Sequence, residues 1–339
     1  MGVGISLSGL ASAVANQGGV GVIATAGIGM FEHDFNTNFL EANMRALRRE
    51  IRRAREMTKG IIGINVMVAL SNFADLVRTA VEEEIDIIFS GAGLPLNLPS
   101  YLMGSLKTKL VPIVSSARAA GLISKRWCEK YNYLPDAIVV EGPKAGGHLG
   151  FSTEQIEDPN YSLESIIPQV VEEVRKVEEE KGKNIPVFAA GGIYTGADID
   201  KFLKLGASGV QMATRFVTTN ECDASDKFKE TYLSAKQEDI VIIKSPVGMP
   251  GRAIGNDFID KVKQGQQIPY KCPYHCIVTC DRVHSPFCIG LALMHAKKGQ
   301  LKQGFAFAGS NAYRAKKIVP VKTLVDSLQE EYEDKKKKD

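Results

Sequence analysis

The chain has 339 residues, of which 44% are hydrophobic and 24% charged, with a formal net charge of +3. That is the composition of an ordinary soluble globular protein with room for one large core or two. The small charge argues against nucleic acid or a membrane surface as partner, and no apolar run reaches transmembrane length. The start, Met1-Gly2-Val3-Gly4-Ile5-Ser6, lacks the basic region of a signal peptide, so a cytoplasmic protein is expected.

In chain order, short β-branched runs alternate with helical stretches. Strands are expected at 19–25, 60–68, 85–92, 110–116, 137–142, 185–192 and 209–216. Helices are expected between them, over 8–16, 38–59, 72–84, 119–131, 163–181 and 197–205. The one at 72–84 shows Phe73, Leu76, Val77 and Ala80 on one face, a 3.6-residue period. The strands are nearly continuous apolar runs, as in a parallel sheet covered on both faces. Polar residues and glycines collect just after them, at Asn65, Gly91, Ser115, Glu141, Gly191 and Thr214. A (β/α)8 TIM barrel, an α/β fold, brings such positions to one rim. No G-x-G-x-x-G follows the first strand, which weakens a doubly wound dinucleotide fold. Seven strands are read where a barrel has eight. Either the first strand would lie before Met1, or another segment closes the barrel; the former is expected.

After Phe216 the pattern changes. A polar helix is expected over 220–237, a proline and glycine loop over 246–256, and helix over 256–298. Residues 220–300 therefore read as a small helical subdomain inserted after a barrel of 1–219. Residues 301–339 read as a return to the barrel, a terminal helix and the solvated tail Lys335–Lys338.

The chemistry centres on 137–150. A strand ends in Pro143-Lys144-Ala145-Gly146-Gly147-His148-Leu149-Gly150, nearly bare backbone around one imidazole. Glycine lets a ligand approach the main chain, and a histidine there can move a proton near neutral pH. Two later loops, Ala190-Gly191-Gly192-Ile193 and Gln211-Met212-Ala213-Thr214-Arg215-Phe216, sit where barrels commonly hold a phosphate on backbone N–H groups. The bland alternatives are ordinary tight turns and a structural histidine.

These three motifs, E-G-P-K-A-G-G-H-L-G, A-A-G-G-I and V-Q-M-A-T-R-F, resemble in order those of the nitronate monooxygenase family. The flavin-dependent enoyl-acyl-carrier-protein reductase of the same superfamily shares them. The resemblance spans about residues 1–255. It implies an FMN-binding TIM barrel with a second domain capping the substrate. By motif, Gly191, Gly192, Ala213 and Thr214 would cradle the FMN phosphate, with Gln211 and Met212 approaching through backbone. Asn65, Glu141, Ala145, Gly146 and Gly147 would line the flavin, and His148 would be the catalytic histidine. The resemblance also makes Met1-Gly2-Val3-Gly4 the tail of the family's first motif. A glycine-containing segment around 307–314 would return to the flavin, where Ser310 or Asn311 meets the ring or substrate or merely caps a helix.

Two residues depart from the family pattern. Lys144 stands where relatives usually carry Glu, and Ala213 where they usually carry Gly. The methyl at Ala213 is tolerable while its φ stays negative. Lys144 either lies on the surface or brings a cation to the flavin loop, which would favour an anionic substrate or a reduced, anionic flavin.

Six cysteines stand at 128, 222, 272, 276, 280 and 288, four of them within 17 residues. That crowding is not a secreted disulfide framework. On a helix Cys272, Cys276 and Cys280 would share a face, and C-x3-C-x3-C-x7-C is not a familiar zinc or iron–sulfur spacing, so no metal ligand is assigned.

The first expectation is an FMN-dependent oxidative denitrification of alkyl nitronates, with dioxygen as co-substrate. The second is an NAD(P)H-dependent flavin reductase of an enoyl thioester or quinone. The third is a non-catalytic flavin- or metal-binding protein. A homodimer is expected as the assembly.

Overall fold

The computed structural model of the chain describes residues 2–272 and 274–338. The apolar runs form strands β1 (Gly21–Ala24), β2 (Ile62–Met67), β3 (Ile87–Gly91), β4 (Lys109–Val114) and β5 (Ile138–Glu141). They continue with β6 (Gly147–His148), β7 (Val187–Ala190), β8 (Gly209–Gln211), β9 (Ile240–Lys244) and β10 (Pro250–Ile254). Seven of them pair in the order β1-β2-β3-β4-β5-β7-β8, all parallel. Sequential order with a helix after nearly every strand is TIM-barrel topology, here a curled seven-stranded sheet. All seven expected strands are present, with shorter ends.

The helices that cover this sheet include α1 (Ser8–Ala15), α2 (Phe39–Met57), α3 (Phe73–Glu82) and α4 (Ala117–Tyr131). Alternation puts Ile62, Ile64 and Val66 of β2 outward, in the core shared with Leu47, Ile51 and Leu76 of α2 and α3. Facing inward, Phe89, Val111, Val139 and Ala190 fill the barrel interior with the ring of Phe188. Two glycines make room for the rings. A Cβ on Gly63 would stand 2.9 Å from the Phe89 ring, and one on Gly209 would stand 2.7 Å from that of Phe188.

β1 and β8 are the sheet's two edges. Residues 5–10 lie between β1 and the turn at Asp223. Ala24 N–H donates to Ser6 O (2.8 Å), and Ser6 Oγ donates to Val22 O (2.6 Å). On the other side Asp223 N–H donates to Ile5 O (3.2 Å), and its carboxylate accepts from the N–H groups of Leu7 (2.7 Å) and Leu10 (3.1 Å) at the start of α1.

The stretch after 220 departs most from expectation. The expected polar helix shortens to a helix over Asp226–Ser234. The expected loop at 246–256 is instead strand β10, antiparallel to β9, and β10 also pairs with β6. Pro246, Gly248, Pro250 and Gly251 made this hairpin read as a turn-rich loop. Helix over 256–298 is also corrected: among the described residues only Asp257–Lys263 and Ile289–Lys297 are helical, and Cys272, Cys276 and Cys280 lie outside them. Pro269 and Pro286 remove backbone donors there, and His275 adopts a positive φ of 46°. Among the described residues no helix is long and apolar enough to cross a membrane.

Candidate active site

Strand parity sets the floor of the site. Val139 points inward, so Glu141, two residues on, does too; by the same rule Asn65 and Gln211 are inward. Glu141 neighbours Ala190 across the sheet, and Ala190 neighbours Gln211. Asn65 lies on β2, separated from β5 by two strands. Glu141 keeps some surface but sits deep in the barrel mouth, and burial pushes its carboxyl up to about 7.

At one end three turns of bare backbone meet. Gly191 and Gly192 both adopt the left-handed region, with φ of 93° and 86°. A Cβ on Gly191 would stand 2.9 Å from Gly142 O, and one on Gly192 would stand 2.8 Å from Lys144 Cβ. Gly146 backs onto the segment around Gly309: its Cβ would stand 2.5 Å from Ala308 C and from Gly309 N. The Gly309 N–H donates to Thr214 Oγ1 (3.1 Å), and the Ser310 N–H donates to Lys144 O (3.1 Å). Asn311 Nδ2 donates to Gly192 O (2.7 Å), so Asn311 holds the glycine turn. Ala213 is exposed with a φ of −132°, a conformation its methyl tolerates. The Met212 side chain packs on the outer core. Lys144 is exposed, its stem against Gly192.

Arg252 of β10 locks this end from beneath. Its buried guanidinium donates to Pro143 O and to Ala145 O (2.8 Å). Burial holds it below the ordinary guanidinium range, partly offset by Glu157. Arg252 and Asn311 were not assigned from sequence, since their roles depend on where the hairpin and the 309–311 turn land.

At the other end stands His148. Pairing of β6 with β10 fixes its backbone opposite Gly251. Its Nε2 lies 2.7 Å from Ser245 Oγ, and its ring meets Phe307 edge-on at 5.1 Å. It lines an apolar cavity with Met30, Met67, Leu70, Cys276, Leu293 and Phe307. The expectation of a pKa near neutrality is corrected: burial pushes the imidazole down to about 4, so the ring is neutral at pH 7. Ser245 was missed because it stands at the turn of this hairpin, just before the stretch 246–256 read as loop.

The four residues Ala145 to His148 link the two ends, so a ligand with a phosphate and a flat ring can span them. The bare turns at Gly191 and Gly192, where Cβ atoms would crowd the neighbouring loop, fit the phosphate of a flavin.

The sequence profile of the nitronate monooxygenase family matches residues 1–86 and 76–331. A curated relative from Staphylococcus saprophyticus, described as "Probable nitronate monooxygenase", is 28% identical over 66% of this chain, a match spanning only 58% of that relative's length. The one from Staphylococcus haemolyticus, described likewise, is 26% identical over 77% of this chain and 76% of its own. Among solved structures, FabK from Thermotoga maritima superposes with a TM-score of 0.77 at 26% identity, covering 98% of this chain and 91% of its own. Nitroalkane oxidase from Streptomyces ansochromogenes has a TM-score of 0.74 at 21% identity, covering 99% and 95%, and shares the fold. The family and these neighbours imply a flavin oxidoreductase. The chain belongs to the nitronate monooxygenase family.

Proposed function

We propose that this protein is an FMN-dependent oxidoreductase that carries out the oxidative denitrification of alkyl nitronates. The observation that carries the reading is a half-buried histidine lining an apolar cavity, on the same short loop as bare-backbone turns. Gly191, Gly192, Ala213 and Thr214 would hold the FMN phosphate. The Lys144 cation, beside Gly192, would then neutralise phosphate charge rather than meet the substrate. Gln211 and Met212 would approach that phosphate through backbone, and Asn65, Glu141 and Ala145 to Gly147 would line the ring. Bound FMN would accept the electrons of the nitronate, and dioxygen would complete its conversion to a carbonyl compound and nitrite.

The neutral state of His148 narrows its task. A base with a pKa of about 4 is poorly matched to removing a carbon-bound proton at pH 7. A nitronate has already lost that proton. A neutral imidazole can donate one N–H to its anionic oxygen, with the ring fixed by Ser245 and Phe307. The apolar wall of the cavity takes the alkyl chain and excludes water. Nitrite release from propyl nitronate in air, by purified protein carrying FMN, tests the reading. Release with nitronate and at most about a tenth of that rate with neutral nitropropane at pH 7 is expected; an FMN-loaded protein that releases none sinks it.

A second reading is an NAD(P)H-dependent flavin reductase of an enoyl thioester or quinone. The likeness to FabK over nearly the whole chain favours it. Reduction of the flavin by NADH or NADPH at a useful rate, without nitronate, decides for it. The reading carries a cytoplasmic location with it.

A further inference from the structure

The cavity beside His148 holds a further polar group that the proposed reaction leaves unused. Two amide side chains line it, Asn43 and Asn72. Asn43 is engaged on both sides: its Oδ1 accepts from the Gly29 N–H (3.1 Å) and its Nδ2 donates to Phe39 O (2.6 Å). Asn72 is only 3% exposed, yet its side chain has no hydrogen-bond partner among the described residues. A buried amide left without a partner is destabilising, so its presence in an apolar cavity points to a group that meets it on binding.

The backbone explains why Asn72 is presented this way. It stands at the N-cap of α3, where an asparagine ordinarily accepts from a backbone N–H of the first turn. That bond goes with extended backbone, whereas Asn72 has a φ of −102° and a ψ of 23°, and no cap bond forms. Its main chain is held all the same. The Leu76 N–H donates to Asn72 O (3.1 Å), and the Ser71 N–H just before it donates to Cys276 O (3.1 Å). Leu70 bridges antiparallel to Ile277, and the Val278 N–H donates to Ala69 O (2.9 Å). Residues 69–72 are thereby clamped between α3 and residues 276–278, and Asn72 faces the cavity from this fixed segment.

The walls select the chemistry of the partner. The described residues that line the cavity include no Lys, Arg, Asp or Glu. A second charge placed against Asn72 would therefore be buried without a counter-ion. A hydroxyl fits instead: it accepts from Nδ2 and donates to Oδ1, using both halves of the amide. Met30, Met67, Leu70 and Leu293 supply apolar wall for the carbon chain that bears it. We propose that Asn72 is a substrate-binding residue, and that the substrate is a nitronate whose alkyl chain carries a hydroxyl group. This rests on the nitronate reading above: His148 meets the nitronate oxygen, and Asn72 meets the hydroxyl.

The test is binding rather than turnover. FMN-loaded full-length protein is titrated by calorimetry, without oxygen, with nitropropanol bearing a terminal hydroxyl and with nitrobutane, its isostere with a methyl there instead. A site built to hydrogen-bond a hydroxyl discriminates against the analogue that lacks it. The ratio of the two dissociation constants should shift toward nitrobutane by at least ~10-fold in Asn72→Leu relative to wild type. The denaturation midpoint of unliganded Asn72→Leu should be equal to or higher than that of wild type, because no hydrogen bond is lost and a buried polar group is removed. An unchanged ratio, no binding of either compound to wild type, or a lowered midpoint overturns the proposal. Asn72→Ala, which adds no bulk, must shift the ratio in the same direction and decides if the leucine variant does not fold. Nitrite release from propyl nitronate reports separately on the nitronate reading, so its failure is distinguishable from a failure of this one.

Discussion

The two ends of the candidate active site are built in different ways. The end proposed to hold the phosphate is main chain: Gly191 and Gly192 at positive φ, Gly146 pressed on Ala308 and Gly309, and a carbonyl held by Asn311. The end proposed to be catalytic is side chain: His148, Ser245, Phe307 and Cys276, drawn from segments far apart in sequence. A main-chain site tolerates no added atoms, while a side-chain site tolerates trimming at a graded cost. Substitutions at the first should therefore abolish cofactor binding, and those at the second should spare it and slow turnover.

The largest effect is expected at the phosphate end. Gly191→Val places a branched Cβ where the backbone has a φ of 93° and Gly142 O lies 2.9 Å away. Strain of about 1–3 kcal/mol plus that clash predicts FMN binding weakened at least ~100-fold, read by flavin fluorescence. Near-normal affinity would break the distinction. Next, His148→Ala should lower kcat/KM for propyl nitronate by roughly 100-fold with FMN content unchanged; loss of flavin instead would make His148 a structural residue.

A third effect is on pH-dependent stability. The folded pKa of His148, about 4, lies below its ordinary 6.5, so the unfolded chain takes up a proton first as pH falls. Its contribution is full above pH 6.5 and is lost between there and pH 4, by up to roughly 3 kcal/mol. Glu141 runs the opposite way. Its folded pKa of about 7 exceeds the ordinary 4.5, so it favours the fold below pH 4.5 and loses that as pH rises to 7. The two slopes oppose each other, which predicts a flat profile between pH 4.5 and 6.5. Glu141→Gln should uncover a fall in denaturation midpoint on acidification; an equally flat variant would show that His148 does not resist protonation. The smallest effect is Ser245→Ala, which removes one hydrogen bond worth about 1 kcal/mol and should cost roughly fivefold in kcat/KM.

The same contrast explains what could be read from sequence. The seven parallel strands were legible because each is a short apolar run ending in glycine or a polar residue. The glycine turn at Gly191 and Gly192 was legible because a positive φ demands glycine. Ser245 and Arg252 were not, because Pro246, Gly248 and Pro250 disguised the hairpin that carries them. The charge state of His148 was hidden too, since it depends on burial by Phe307 and the cavity wall, which come from elsewhere in the chain. The cysteine loop was misread as helix although Pro269 and Pro286 stood against it.

The most direct test of the central claim is an anaerobic titration of the FMN-loaded protein, followed by the flavin absorbance. The account predicts bleaching by propyl nitronate at neutral pH, little change with NADH, and loss of the nitronate response in His148→Ala. Rapid bleaching by NADH with none by nitronate would contradict it.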